Sequence, residues 1–211
     1  MEQSLDRKQT MSASEKSVTK TRRLVQIAML GAAAGVLMFI EFPLPFLAPP
    51  FYKMDFSELP VLIGGFALGP VAGIIIEIIK IALHLLFKGT QTAFVGELGN
   101  LIMGCALIVP AAVIYKHKKT KRTAVIGLVV GVIVMAVASV LVNGYMLLPA
   151  YCAAFHIDLD VIIGMGAAIH PSINSVMTFC LLAVAPFHIF KGVVISIVTM
   201  LLYKHIRKLL K

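Results

Sequence analysis

Long apolar runs, rather than alternation of apolar and polar positions, organise this chain. Residues 24–40 are apolar but for Gln26, and the next stretch, EFPLPFLAPPFYK (41–53), breaks the pattern with Pro43, Pro45, Pro49 and Pro50. Prolines at that density are excluded from a helix interior, so the stretch predicts a structured loop. A second helix is expected with Ser57 as its N-cap, which puts Pro60 in the first turn, where its missing N–H costs nothing. That helix must stop at Gly69-Pro70. At about twelve residues it is short for a membrane span, so part of its surroundings should be protein.

Further apolar runs follow at residues 71–87, 93–115, 123–148 and 187–203. Between the last two, residues 149–185 are mixed: 156–160 are polar, 161–169 apolar, and Pro171 opens a short helix expected to end before Pro186. Runs near 20 residues suit membrane-spanning helices. The expected fold is therefore an all-α integral membrane protein, a six-transmembrane-helix bundle over residues 24–208. Residues 1–23 are polar and Ser/Thr-rich and read as a disordered basic leader. They do not read as a signal peptide, because the apolar run behind them is too long for an h-region and no small-residue cleavage site follows it.

Composition agrees. The 211 residues are 59% hydrophobic and only 14% charged, with a mean hydropathy of +0.95, whereas soluble domains carry roughly 25% charge. Cys105, Cys152 and Cys180 are odd in number and lack metal-ligand spacing, which excludes a disulfide-stapled module. The net charge of +9 would suggest nucleic acid on a soluble protein, but its placement argues otherwise. Fifteen of the nineteen basic residues fall in three clusters: the leader, residues 116–122 (KHKKTKR) and the tail from Lys204. Short basic loops stay cytoplasmic. Both termini are therefore expected inside, beside anionic lipid, with loops 41–56, 88–93 and 149–170 outside.

Several constellations could carry chemistry. The first span holds Ala28-x-x-x-Ala32 and Gly31-x-x-x-Gly35, small residues that let another helix approach closely, either within the bundle or on a separate subunit. Glu77 and Lys80 lie one turn apart in the third span, as an internal ion pair or as part of a ligand site, with His84 continuing their face as a helix–helix hydrogen bonder. Lys191 near the outer end of the last span either snorkels to the interface or joins a pocket. His188 one turn earlier and Asn143 late in the fifth span stand at a similar depth, as do Asp55, Glu58, Glu97 and Asn100. Such convergence of polar groups among apolar walls is what a small-ligand site needs. Phosphate-loop, H-E-x-x-H and G-x-S-x-G motifs are all absent from the sequence, so neither ATP hydrolysis by this chain nor metalloprotease or serine-hydrolase chemistry is expected. No cofactor and no metal site are indicated.

The block FPLPFLAPPFYKMDFSELPVLIGGFALGPVAGIIIEIIK (42–80), with GELGN (96–100), NGYMLLPAY (143–151) and APFHIFKGVVISIVTMLLYK (185–204), resembles the riboflavin-specific substrate-binding (S) components of energy-coupling factor transporters. The resemblance implies a bundle in a bacterial cell membrane that captures riboflavin from outside. It also implies docking on a transmembrane coupling subunit, EcfT, driven by two cytoplasmic ABC-type ATPases, and no enzymatic activity. It assigns Ala28 and Ala32 to docking, the proline-rich loop to a lid, and Asn143 and Lys191 to the flavin. The chain departs from the pattern at His188, where the family carries Asn, and at Ile81 after Lys80. The rival reading is an autonomous secondary carrier of a small solute, coupled to protons through Glu77 or His84.

Overall fold

The computed structural model describes the backbone of residues 2–209 and the side chains of residues 19–202. The leader expected over residues 1–23 falls, as far as residue 18, outside the described side chains. Helix α1 (Glu2–Phe39) leads through β1 (Phe42–Pro43) and β2 (Lys53–Met54) into α2 (Glu58–Leu68), α3 (Pro70–Lys88), α4 (Val95–His117) and α5 (Lys121–Val142). Then come α6 (Leu148–Phe155), α7 (Leu159–Ala167), α8 (Val176–Phe179) and α9 (Ala185–Leu209). Among the described residues, five helical stretches are long and apolar enough to cross a membrane: Thr19–Phe39, Pro70–Lys88, Val95–His117, Lys121–Phe155 and Val176–Leu202. Outward-facing Met29, Phe87, Val129, Ile133 and Leu201 give them the apolar surface that lipid requires. The chain is an all-helical, multi-pass membrane protein.

The second of the six expected helices is α2, which has eleven residues, eight of them buried, and is not among those five. At 1.5 Å per residue it is about 16 Å long, and it packs against α1, α3, α4 and α9. Its surroundings are protein, as its length required. Pro60 lies in the first turn as expected, but Ser57 does not cap the helix with its side chain. Instead Asp55 Oδ1 accepts the Ser57 N–H at 2.8 Å and the Ser57 hydroxyl as well, so Asp55 fixes the entry into α2. Gly69, at φ +97, reverses the chain between α2 and α3 in a conformation that side-chain-bearing residues avoid.

Two proline positions depart from expectation. The fifth span does not end at residue 148; the helix runs on through Pro149 to Phe155. Likewise no helix opens at Pro171 to end before Pro186. The last stretch begins at Val176, behind a capping box formed by Ser175 and Thr178, and passes through Pro186. The physical reason is the same in both places. A proline lacks an N–H and its ring crowds the carbonyl four residues back. One widened π-helical turn precedes each: Asn143–Leu147, closed by Leu148 N–H to Asn143 O, and Cys180–Val184, closed by Ala185 N–H to Cys180 O. The wider turn moves the crowded carbonyl aside, and the helix continues.

The proline-rich loop holds a feature that apolar patterning did not suggest. β1 and β2 pair antiparallel, Phe42 with Met54 and Pro43 with Lys53. The loop 44–52 is thereby folded back as one unit over the end of the bundle.

Candidate functional site

A cavity of about 250 Å³ lies under that loop. Six of the seven polar residues expected to converge line it: Asp55, Glu97, Asn100, Asn143, His188 and Lys191. They come from four parts of the fold. Asp55 follows β2, Glu97 and Asn100 occupy the first turns of α4, Asn143 starts the π turn after α5, and His188 and Lys191 sit one turn apart on α9 just past Pro186. The seventh, Glu58, is not in the lining; it faces Lys80 inside the bundle, 2.8 Å away.

Lys191 does not snorkel. It is 6% exposed, and its Nζ donates to Asp55 Oδ2 at 2.8 Å. Burial alone would raise the Asp55 carboxyl. The ammoniums of Lys191 and Lys80, with hydrogen bonds from Lys191 and Ser57, reverse that and hold it at about 2. Asp55 therefore stays ionised and pins Lys191 at the cavity wall. An ammonium has three donors, so Lys191 keeps hydrogen-bonding capacity for a ligand.

Asn143 is 2% exposed and engaged on both ends: Nδ2 donates to Ser139 O at 2.8 Å, and Oδ1 accepts the Tyr52 hydroxyl at 2.7 Å. Burial pushes the Tyr52 phenol well up from its ordinary value, so it remains a donor. Tyr52 thus links the loop to the bundle, 91 positions from its partner in sequence. It was absent from the expected site, and only its place in an aromatic-rich stretch of the loop hinted at it. Aromatic neighbours extend the wall. Phe51 stacks on Tyr151 with ring centroids 5.5 Å apart, and Tyr52 lies 5.7 Å from Phe187. His188 stands edge-on to both Phe187 and Tyr52, and its buried Nδ1 has no hydrogen-bond partner among the described residues.

Gln91 and Thr92, from the loop before α4, also line the cavity. Glu97 Oε2 accepts from Thr92 Oγ1 at 2.8 Å and Thr90 Oγ1 at 3.1 Å. These bonds hold a loop in which Ala93 and Phe94 both take positive φ, an uncommon conformation for non-glycine residues. At the mouth, Glu41 accepts from Lys53 at 2.7 Å and also from Lys88. Burial would raise the Glu41 carboxyl, but the two lysines hold it below its usual value. Glu41 therefore ties β2 to the end of α3. His84 also lines the cavity, 5.7 Å from Phe39, and neither ring nitrogen has a partner among the described residues. It does not form the helix–helix hydrogen bond expected of it.

Glu77 and Lys80 are an ion pair at 2.6 Å, both fully buried, and Glu58 joins them as a third member. No cluster of three or more His, Cys, Asp or Glu suited to a metal ion occurs among the described residues. The two small-residue stripes of α1 separate. Gly31 and Gly35 face α3, where an added Cβ would meet Ile79 at 2.5 Å and Leu83 at 3.0 Å. Ala28 and Ala32 are exposed on the outer surface of the bundle.

The cavity and the apolar helices that carry it accord with the comparisons to known proteins. Residues 22–203 match the family model described as ECF transporter, substrate-specific component. The chain is 37% identical over 195 residues to the riboflavin transporter RibU of Staphylococcus aureus, spanning 92% of this chain and 95% of that protein. It is 32% identical over 185 residues to the riboflavin transporter FmnP of Bacillus subtilis, spanning 87% and 91% respectively. Among solved structures it is similar, with a TM-score of 0.71 and 38% identity over 91% of this chain and 99% of the other, to the S component of a bacterial ECF transporter. With the family model covering nearly the whole helical region, the chain belongs to the substrate-specific components of ECF transporters.

Proposed function

We propose that this chain captures riboflavin on the outer side of a bacterial cell membrane and hands it inward by docking on a transmembrane coupling subunit, EcfT, powered by two cytoplasmic ABC-type ATPases. The observation that carries the reading is the chamber beneath the loop, lined both by polar side chains and by aromatic and aliphatic ones. Riboflavin is a flat tricycle with a carbonyl-rich edge and a neutral polyol tail. Phe51, Tyr52, Tyr151 and Phe187 suit the faces of such a ring. Lys191, Asn143 and His188 suit its polar edge, and Glu97 and Asn100 suit hydroxyls of the tail. Asp55 serves by orienting Lys191, and Glu58 serves at one remove, by holding Lys80 behind the chamber.

In this reading α2 is a sixth membrane-embedded segment, so residues 24–208 form one six-helix domain behind a basic leader. An even number of segments leaves both termini in the cytoplasm with the basic clusters, and the loop 41–56 closes from outside. Ala28 and Ala32 form the surface on which the coupling subunit packs. Their exposure supports this, since the other small stripe of α1 is already used against α3.

The test is direct. Protein purified from cells supplied with riboflavin should be yellow and release flavin absorbance on denaturation, and emptied protein should quench riboflavin fluorescence at one-to-one stoichiometry. Failure to bind riboflavin in both formats would reject the reading. Uptake measured in cells lacking the ATPases separates it from the proton-coupled carrier. Uptake that survives that loss, and collapses with the proton gradient, would favour the carrier.

A further inference from the structure

Glu97 belongs to the chamber wall and stands outside its ion pairs. Of the three acidic side chains in the lining, Asp55 pairs with Lys191 and Glu41 with Lys53 and Lys88, whereas Glu97 pairs with no base among the described residues. It is nonetheless only 6% exposed. A buried acidic group without a counter-charge is costly unless donors surround it.

The donors form a relay. Thr90 Oγ1 accepts the N–H of Thr92 at 3.2 Å and that of Phe94 at 2.8 Å, and Thr92 Oγ1 accepts that of Gly96 at 3.0 Å. A hydroxyl has one proton to give, and both threonines give it to the same atom, Glu97 Oε2, at 3.1 and 2.8 Å. Gly96 makes room for this, since an added Cβ would lie 2.6 Å from Thr92 Oγ1. Ala93 and Phe94 hold positive φ in the same loop, a strained state that persists where the surroundings over-determine it and that gathers at ligand clamps. The whole arrangement fixes one oxygen and leaves the other. Oε1 receives no hydrogen bond from a described residue and is not sealed in the interior.

An oxygen that takes two donated protons behaves as an ionised carboxylate, which only accepts. A ligand group meeting Oε1 therefore has to bring an O–H or N–H. A phosphate or carboxylate there would set like charges together. The cations of the site do not offset this. Lys191 is held by Asp55. At the mouth, Lys53 and Lys88 share Glu41 and leave one positive charge in excess, but their side chains are 34% and 27% exposed, so water and salt screen them. The buried carboxylate is screened less, and its sign decides.

We infer that Glu97 is a specificity-determining residue: it takes a hydroxyl of the ligand's tail and turns away the same ligand when that tail ends in a phosphate. This rests on riboflavin as the ligand, with its polyol against the first turns of α4. The chamber then selects the free vitamin over its 5′-phosphate.

Fluorescence titration of the full chain in detergent tests this with three flavins: riboflavin, riboflavin 5′-phosphate, and lumiflavin, which carries a methyl group in place of the tail. The wild type should bind the 5′-phosphate about 100-fold more weakly than riboflavin, because like charges in contact are strongly disfavoured. Glu97→Gln keeps the shape and removes the charge. It should weaken riboflavin by about tenfold without weakening the 5′-phosphate, so the preference closes by about the same factor. Glu97→Asp keeps the charge and should discriminate better than Glu97→Gln. Lumiflavin has no tail to meet the carboxylate, so its affinity should stay within about twofold in Glu97→Gln. Should that variant fail to fold, Glu97→Ala is read in the same way. A wild type that binds riboflavin and its 5′-phosphate within about threefold of each other would overturn the inference. So would an unchanged preference in Glu97→Gln, or a loss of lumiflavin as large as that of riboflavin. Each of these leaves the riboflavin reading standing. A wild type that binds none of the three flavins would reject that reading, and this inference with it.

Discussion

Replacing Lys191 by Ala removes the ammonium that Asp55 holds at the chamber wall, and the structure separates its two consequences. The first is on folding. Asp55 loses its partner at 2.8 Å, and breaking a buried pair by removing one member costs about 3–5 kcal/mol. Asp55 keeps the Ser57 N–H and hydroxyl, so the lower end, about 3 kcal/mol, is expected. The second consequence is on the ligand. Hydrogen bonds to charged groups contribute about 1.5–3 kcal/mol, so losing this donor should weaken riboflavin binding by about 10- to 150-fold. The double variant Asp55→Asn/Lys191→Ala removes the orphaned charge and should recover much of the stability while binding stays weak. Thermal unfolding in detergent reads the first effect, and titration of riboflavin fluorescence reads the second. Affinity within about twofold of wild type, in a double variant of restored stability, would refute the placement of Lys191 against the ligand, since removing a charged donor from a bound ligand should cost far more.

The two stripes of α1 should respond oppositely. Ala28→Trp or Ala32→Trp adds bulk to an exposed face, so riboflavin binding should be unchanged while transport in cells with the complete transporter is abolished. Gly31→Val drives a side chain into Ile79 and should lower stability by about 1–3 kcal/mol, read as a fall in unfolding temperature. Asp55 sets an acid limit. Its folded value of about 2 lies below its ordinary 3.8, so its stabilisation is fully present above about pH 4 and is lost as the pH falls towards 2, amounting to about 2 kcal/mol; Asp55→Asn should flatten the pH dependence of unfolding across that window. Tyr52→Phe deletes the hydrogen bond to Asn143 at a cost of about 1 kcal/mol, and amide hydrogen exchange in residues 41–56 should quicken while exchange in α4 and α5 does not.

What could and could not be foreseen follows from the range over which each signal acts. Membrane helices are written in local composition, because hydrocarbon demands twenty or so apolar residues in a row, and the runs at residues 71–87 and 93–115 fall within a few residues of α3 and α4. Pro149 and Pro186 misled because each is preceded by a π turn that carries the helix past it, and such turns have no residue-level marker. The stripes of α1 could not be told apart for another reason: lipid is as apolar as a neighbouring helix, so nothing in Ala-x-x-x-Ala or Gly-x-x-x-Gly states which face meets protein. The polar site divides on the same logic. Lys191 and His188, or Glu77 and Lys80, are turn-spaced on one helix and could be seen together. Lys191 with Asp55, Tyr52 with Asn143 and Lys80 with Glu58 join residues 136, 91 and 22 positions apart, and no periodicity encodes them. Glu58 shows the cost of that gap most plainly: its carboxylate meets Lys80 of α3, 22 positions on, and stays out of the chamber that Asp55, three residues earlier, helps to line.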